Sequence, residues 1–355
     1  GGISKRLVDL ADSILGFVTG GLAMVTVLAC MFFAAISGSG PATVSAIGSF
    51  MIPAMKERGY DSGFAAALAA CAGSIGVIIP PSIPFVIYGV VAQVSIGDMF
   101  IAGVIPGIIL GVALMTVCYF VSLKKGYLGS GQRPSFKAIG KALKEAVWAL
   151  IIPVIVLGGI YGGIFTPTEA AVVTVVYSFI VGKFVYKELT LKKIYNCLLD
   201  SSLVNGVTQF MIGLSMAFAS YLALAQIPST VASWLASISS IPWVTLLIIN
   251  IFLLILGCFV DNIPAVIILR PILLPIMKQL GVDPIHFGLF LTVNLAVGFV
   301  TPPYGINLFV ATAISGESIE AISKNLLYFI AAMILCVFLF TNIPGLSLWL
   351  VNILR

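Results

Sequence analysis

Apolar residues run along this chain in blocks, and glycine, proline and charged residues punctuate them. Residues 4–19 alternate apolar and charged positions, with Lys5, Arg6, Asp9 and Asp12 on one surface. That pattern predicts an interfacial arm helix within residues 1–20. Two apolar stretches follow, 21–37 and 41–57, split by Ser37-Gly38-Ser39-Gly40-Pro41. Each has about 17 residues, marginal for crossing a bilayer alone. The spacing therefore predicts a re-entrant helical hairpin over 21–57. Residues 63–93 are apolar but broken by Gly73, Gly76, Pro80, Pro81 and Pro84, and 99–123 reads as an ordinary span. A basic loop over 124–145 separates these from helices within 146–225, at 146–165, 168–186 and 201–225. A second arm helix is expected over 226–241. The opening pattern then returns: a hairpin over 242–279 split at Asp261-Asn262, a broken helix over 285–314 and a final helix over 321–350.

The return is also visible residue by residue. At an offset of 222, Pro53, Met55, Lys56, Gly59 and Asp61 match Pro275, Met277, Lys278, Gly281 and Asp283. Gly76, Pro80 and Pro81 match Gly298, Pro302 and Pro303. The repeats are 21–123 and 242–350. Five expected crossings lie between the two hairpins, an odd number, which predicts opposite orientations. Paired broken helices in inverted repeats point to a binding site near the bilayer midplane.

Composition agrees with lipid as the solvent. Hydrophobic residues are 60% of 355 and charged residues 9%, against about a quarter charged in soluble domains. The runs are too long for β-barrel strands. With the first hairpin's open end in the cytoplasm, 15 of the 18 Lys and Arg fall on that side, as the positive-inside rule requires. The C-terminus then lies outside. The net charge of +5 is explained by this topology, and nucleic acid is not an expected partner.

The breaks carry the chemistry. Non-helical backbone at membrane depth is tolerated only when buried in protein or lining a wet cavity. Carbonyls freed at helix C-termini suit a cation, and N–H groups freed at N-termini suit an anion. Ser37, Ser39 and Thr43 add hydroxyl oxygens at the first tip. Asp261 and Asn262 add a carboxylate and an amide at the second. Hard oxygen donors fit Na⁺ and exclude soft transition metals. Asp261 stands in an apolar run, where a carboxylate costs about 2.5–3.5 kcal/mol and needs a partner. Three roles are open: cation ligand, ion pair with Arg270, or proton carrier. Arg270 itself pairs with a substrate carboxylate, snorkels or pairs internally.

Other features read as structural. Thr166-Pro167-Thr168-Glu169 resembles a helix cap. Gly158-Gly159 and Gly162-Gly163 read as close helix packing. The lone His286 opens a helix, and the six cysteines are scattered without a CxxC pair. No HExxH, GxSxG or Walker sequence occurs, so neither an enzyme nor ATP-driven transport is expected, and no cofactor is required.

Five motifs together resemble the large membrane (M) subunit of tripartite ATP-independent periplasmic (TRAP) transporters. They are Ser37-Gly38-Ser39-Gly40-Pro41-Ala42-Thr43, Gly73-Ser74-Ile75-Gly76 leading to Pro80-Pro81-Ser82, Gly163-Ile164-Phe165-Thr166-Pro167-Thr168-Glu169-Ala170-Ala171, Asp261-Asn262-Ile263-Pro264-Ala265, and Thr301-Pro302-Pro303-Tyr304-Gly305-Ile306-Asn307. The resemblance covers essentially the whole chain. It implies an all-α polytopic protein of the bacterial inner membrane with an elevator-type ion-transporter fold. It implies Na⁺ as coupling ion and import of an organic acid, such as sialic acid, a C4-dicarboxylate or a keto acid. A periplasmic substrate-binding protein (P) delivers that acid, and a small membrane subunit (Q), separate or fused, accompanies the chain. The sodium sites it implies join Ser37, Gly38, Ser39, Gly40 and Thr43 to Gly73, Gly76 and Pro80, and Asp261 and Asn262 to Gly298 and Thr301. The substrate contacts it implies are Ser82, Arg270, Tyr304 and Asn307. Wider relatives carry Ser-Asn-Thr at each tip, which this chain lacks. The chain opens Gly1-Gly2-Ile3-Ser4 without Met, and the resemblance implies that further spans precede it. The alternative is a sodium/anion symporter of the same architecture that needs no binding protein. A channel would instead carry uncoupled current. An intramembrane enzyme would need a Ser/Lys, paired-Asp or metal set, and no such set is apparent.

Overall fold

Glycine, proline and short polar caps set the helix ends that the apolar pattern marks. The computed structural model describes residues 2–129, 135–238 and 241–354, and among them every regular element is helical. The arm helix is α1 (Ile3–Leu15). The first hairpin is α2 (Gly21–Ser37) and α3 (Gly40–Glu57), which pack directly on each other. Gly38 ends α2 at φ 64°, a left-handed conformation that glycine adopts without a Cβ penalty. Ser39 then caps α3 by accepting from the Ala42 N–H.

The first broken helix is α4 (Ser62–Gly73), a 3₁₀ turn at Ser74–Val77, and α5 (Ile83–Ala92). Asp61 caps α4, accepting from Phe64 N at 2.7 Å. Next come α6 (Ile96–Lys125), α7 (Phe136–Tyr161), α8 (Pro167–Ile180, extended by a π-helical turn to Val185), α9 (Leu191–Leu224) and α10 (Ile227–Ile238). The second set is α11 (Pro242–Gly257), α12 (Asn262–Gln279), α13 (Pro284–Gly298), α14 (Ile306–Ser315), α15 (Ile319–Asn342) and α16 (Gly345–Leu354). The Pro80–Pro81 and Pro302–Pro303 peptide bonds are both cis. Among the described residues six helices are long and apolar enough to cross a membrane: α6, α7, α8 with its π turn, α9, α12 and α15.

Four expectations need correction. The 124–145 loop is shorter, because α7 begins at Phe136; a basic, water-facing turn can extend a span that the apolar run alone cannot mark. For the same reason α9 begins at Leu191 rather than 201, where the Thr190 hydroxyl accepts from Lys193 N at 3.3 Å. The final helix is two helices, not one. Pro344 has no N–H and pushes Ile343 out of the helical region, to φ −120° and ψ 83°. Finally, α11 and α12 do not pack together as α2 and α3 do; each packs on α13. Residues 239–240 of the second arm, and Arg133 and Arg355 from the charge count, lie outside the described residues.

The two broken helices occupy the centre. Every α13 residue from Ile285 to Gly298 is buried, and so is every α4 residue from Gly63 to Gly73. The halves then reach across: α14 packs on α3 and α4, while α5 packs on α12. By contrast α7, α8 and α9 are peripheral, and α9 buries only Ser215 and Ala219.

Thr166 and Glu169 form a reciprocal capping box at the start of α8, with Glu169 accepting from the Thr166 N–H at 2.8 Å. Within this chain the glycine pairs border a turn. A Cβ on Gly158 would meet open space, Gly159 lies under the Phe165 ring, and Gly163 sits at φ 66°. His286 is buried and bonded within the helices, as a structural histidine would be.

Among the described residues an ion pair ties the arm to the segment between α8 and α9. Arg6 donates to Glu188 at 3.2 Å, and its guanidinium lies 3.8 Å from the Tyr186 ring centroid. Both charges are partly exposed, so the pair contributes about 1 kcal/mol at most. Arg6→Ala is expected to lower the thermal midpoint by only a few degrees; a larger fall in a thermal-shift measurement would show the arm to be a major support.

The candidate cation and substrate site

At the first tip, local polar bonds hold the chain in a tight loop. The Ser37 and Thr43 hydroxyls are 3.0 Å apart, and Thr43 donates to the Ser39 carbonyl at 2.8 Å. The Gly38 carbonyl accepts from Ile83 N at 3.1 Å, which fastens the tip to the start of α5. Gly76 approaches so closely that a Cβ there would lie 2.5 Å from Thr43 Oγ1 and 2.6 Å from the Ser39 carbonyl oxygen. A Cβ on Gly73 would collide with Val44 and stand 3.3 Å from the Gly40 carbonyl. Glycine is therefore required for the break to reach the tip. Pro80 is also buried.

Asn307, expected as a substrate contact, lies here instead. It is fully buried, and its Nδ2 donates to the Ala70 carbonyl at 3.0 Å and to Ser74 Oγ at 3.2 Å. Both amide hydrogens are thus engaged. Its Oδ1 has no protein partner, and a Cβ on Gly40 would be 3.2 Å from that oxygen. A residue of α14, just beyond the second break, thus presents a bare acceptor at the first tip.

At the second tip Asp261 caps α12, accepting from Asn262 N at 2.7 Å. Asn262 is buried, with Nδ2 3.5 Å from the Thr292 carbonyl and Oδ1 without a protein partner. Tyr304 N donates to the Cys258 carbonyl at 3.3 Å, strapping the second break to this tip. Gly298 lies directly against the Gly257 backbone. The Thr301 hydroxyl is engaged with the Val297 carbonyl at 2.8 Å.

The two tips and the two breaks meet at one cleft of about 100 Å³. Gly38 and Ser39 line it from the first tip, Asp261 and Asn262 from the second. Val77 and Ile83 come from the first break, Phe299 and Ile306 from the second. These apolar walls had no distinguishing mark in the sequence. Beside the cleft, sharing Gly38 and Ile83, a second cavity of about 210 Å³ separates the first tip from α7 and α8.

The four expected substrate contacts do not converge. Ser82 lines the second cavity but is buried, donates to the Val77 carbonyl at 2.6 Å and caps α5. Tyr304 is 44% exposed and packs edge-on against Phe309. Asn307 is at the first tip. Arg270 sits nine positions beyond Asp261 on α12, about 13 Å along the helix. Its Nε is buried without a protein partner, and it makes no ion pair with Asp261. Of the three roles open to Asp261, the ion pair with Arg270 is therefore absent from this structure.

Residues 1–346 match the family model for the tripartite ATP-independent periplasmic transporter, DctM component. The chain is 48% identical over 98% of its length to the isethionate TRAP transporter permease protein DctMQ of Oleidesulfovibrio alaskensis, of which it spans 55%. It is 44% identical over 99% of its length to the C4-dicarboxylate TRAP transporter large permease protein DctM of Pseudomonas aeruginosa, covering 82% of that protein. It is 36% identical over its whole length to the sialic acid TRAP transporter permease protein SiaT of Haemophilus influenzae, covering 57%. With the family model matched over nearly the whole chain and relatives at these identities, this protein belongs to the DctM family of TRAP transporter large permeases.

Proposed function

We propose that the chain is the membrane-embedded body of a sodium-coupled importer of a small organic acid in a bacterial inner membrane. The observation that carries this reading is the single cleft at which both tips and both breaks meet, beside two bare, buried amide oxygens. Amide and carbonyl oxygens with hydroxyls form a hard donor set suited to Na⁺. The first cation site comprises backbone oxygens of the Ser37–Gly40 tip and the Gly73–Pro80 break, with Thr43 and Asn307 Oδ1. The second comprises Asp261, Asn262 and the Gly298–Thr301 break. A substrate acid binds beside them, in the cleft and its neighbouring cavity.

Transport follows an elevator mechanism in this reading. The hairpins and broken helices move as the inner body, and α7–α9 with the two arms stay with the scaffold. The repeats are inverted, and the C-terminus is periplasmic. The relatives are named as transporters of isethionate, C4-dicarboxylate and sialic acid, which supports an organic acid as cargo. Their family supports a periplasmic binding protein and a small membrane subunit as partners, the latter fused in one relative. Uptake by the full transporter in proteoliposomes, with and without its binding protein and an inward Na⁺ gradient, tests the coupling and the need for a binding protein. Uptake that ignores sodium would overturn the coupling. Uptake without a binding protein would favour the stand-alone symporter.

Asn307→Ala removes the bare oxygen at the first tip. It is expected to raise the sodium concentration for half-maximal uptake about tenfold, equivalent to about 1.4 kcal/mol of ligation. An unchanged sodium titration would remove Asn307 from the site.

A further inference from the structure

The second half of the molecule buries a connected polar network, three of whose members stand where the first half has apolar residues. Asn294, on α13, donates through Nδ2 to Asn250 Oδ1 on α11 at 2.7 Å and to the Phe290 carbonyl at 2.8 Å. Thr341, on α15, places its hydroxyl 3.2 Å from the same Asn250 oxygen. The Thr341 carbonyl in turn lies 3.2 Å from His286 Nε2, and His286 Nδ1 lies 2.7 Å from Ser347 Oγ on α16. All five residues are at most 2% exposed. At the offset of 222, Asn250, Asn294 and His286 correspond to Leu28, Ala72 and Phe64. The sequence repeat alone therefore does not account for the polar residues at these three positions.

The hydrogen bonds leave two polar atoms with nothing to bond. Asn294 has two acceptors on Nδ2, which fixes its amide orientation, and its Oδ1 has no partner. That donation also fixes Asn250, whose Nδ2 has none. One bare atom is an acceptor and the other a donor, on side chains already joined to each other. Burying an amide group without a hydrogen-bond partner is unfavourable. A cation would satisfy Asn294 Oδ1 but would face the Asn250 amide hydrogens. Water both donates and accepts, and buried water occurs where polar groups lack protein partners.

We propose that the pair Asn250–Asn294 is a water-binding site, holding a buried water that accepts from Asn250 Nδ2 and donates to Asn294 Oδ1. The water joins α11 to α13 one helical turn before Gly298, where the second break begins. This site is separate from the sodium ligands proposed above and does not depend on them.

A high-resolution map of the assembled wild-type transporter in lipid tests it. A density at about 2.7–3.2 Å from both atoms, unchanged when potassium replaces sodium, is the expected result. No density, or one that disappears without sodium, would overturn the proposal. The variants Asn294→Ala and N250L/N294A give a second measurement. The single change strands the Asn250 amide, whereas the double one installs the residues of the first half. The double variant is expected to melt at the higher temperature; one no more stable than the single variant would contradict the proposal.

Discussion

Asp261→Ala is expected to reduce uptake to the level seen without a sodium gradient. The side chain caps α12 with one oxygen, while a carboxylate has two oxygens and several lone pairs. It makes no ion pair among the described residues, although it lies in an apolar stretch at the cleft. An uncompensated carboxylate at membrane depth costs about 2.5–3.5 kcal/mol, a cost that a bound cation offsets. Alanine deletes both the charge and the cap. Asp261→Asn separates them, because asparagine caps a helix as well as aspartate does. Uptake in proteoliposomes over a range of sodium concentrations distinguishes the outcomes. If the charge holds sodium, both variants lose sodium-driven uptake. If asparagine restores it fully, Asp261 is a cap alone and the second cation site loses its carboxylate.

Much of the architecture was legible because glycine and proline punctuate an apolar chain. The first hairpin, expected over 21–57, is α2 and α3 with a left-handed Gly38 between them. The offset of 222 pairs Gly76 with Gly298, and both prove to be close-approach glycines at a break. Helix starts that project into water were not legible. At Phe136 and Leu191 the opening segments mix lysines with apolar residues, and hydropathy does not mark them.

The site was read in part, for a reason that separates its residues. Tip residues lie close along the chain, so Ser37, Ser39 and Thr43 group together by spacing alone. The place of Asn307 depends on α14 packing against α3 and α4, a contact with Ala70 across 237 positions. No local pattern encodes that distance. The resemblance implied Ser82 as a substrate contact, yet its oxygen is taken by the α5 cap and the Val77 carbonyl. Arg270 looked close to Asp261 in sequence, but nine helical positions separate them by about 13 Å.

Gly298→Ala is expected to have the largest effect on folding. The added methyl would collide with the carbonyl oxygen, carbonyl carbon and Cα of Gly257. All three are backbone atoms, so no rotamer change relieves the clash; α11 and α13 must separate. Both helices border the buried core, and α13 is buried along its length from Ile285. Overpacking of a core commonly costs about 1–3 kcal/mol, and more when side chains cannot move aside. The protein is expected to accumulate poorly in membranes and to melt well below wild type. Gly213→Ala on α9 is the matched control, since a Cβ there meets nothing within 4 Å and alanine favours the helix. Membrane abundance and thermal midpoint of the two variants should therefore move apart. Wild-type stability in Gly298→Ala would mean that α11 and α13 do not meet at Gly257, and the second tip would then lose the contact that holds it against its break.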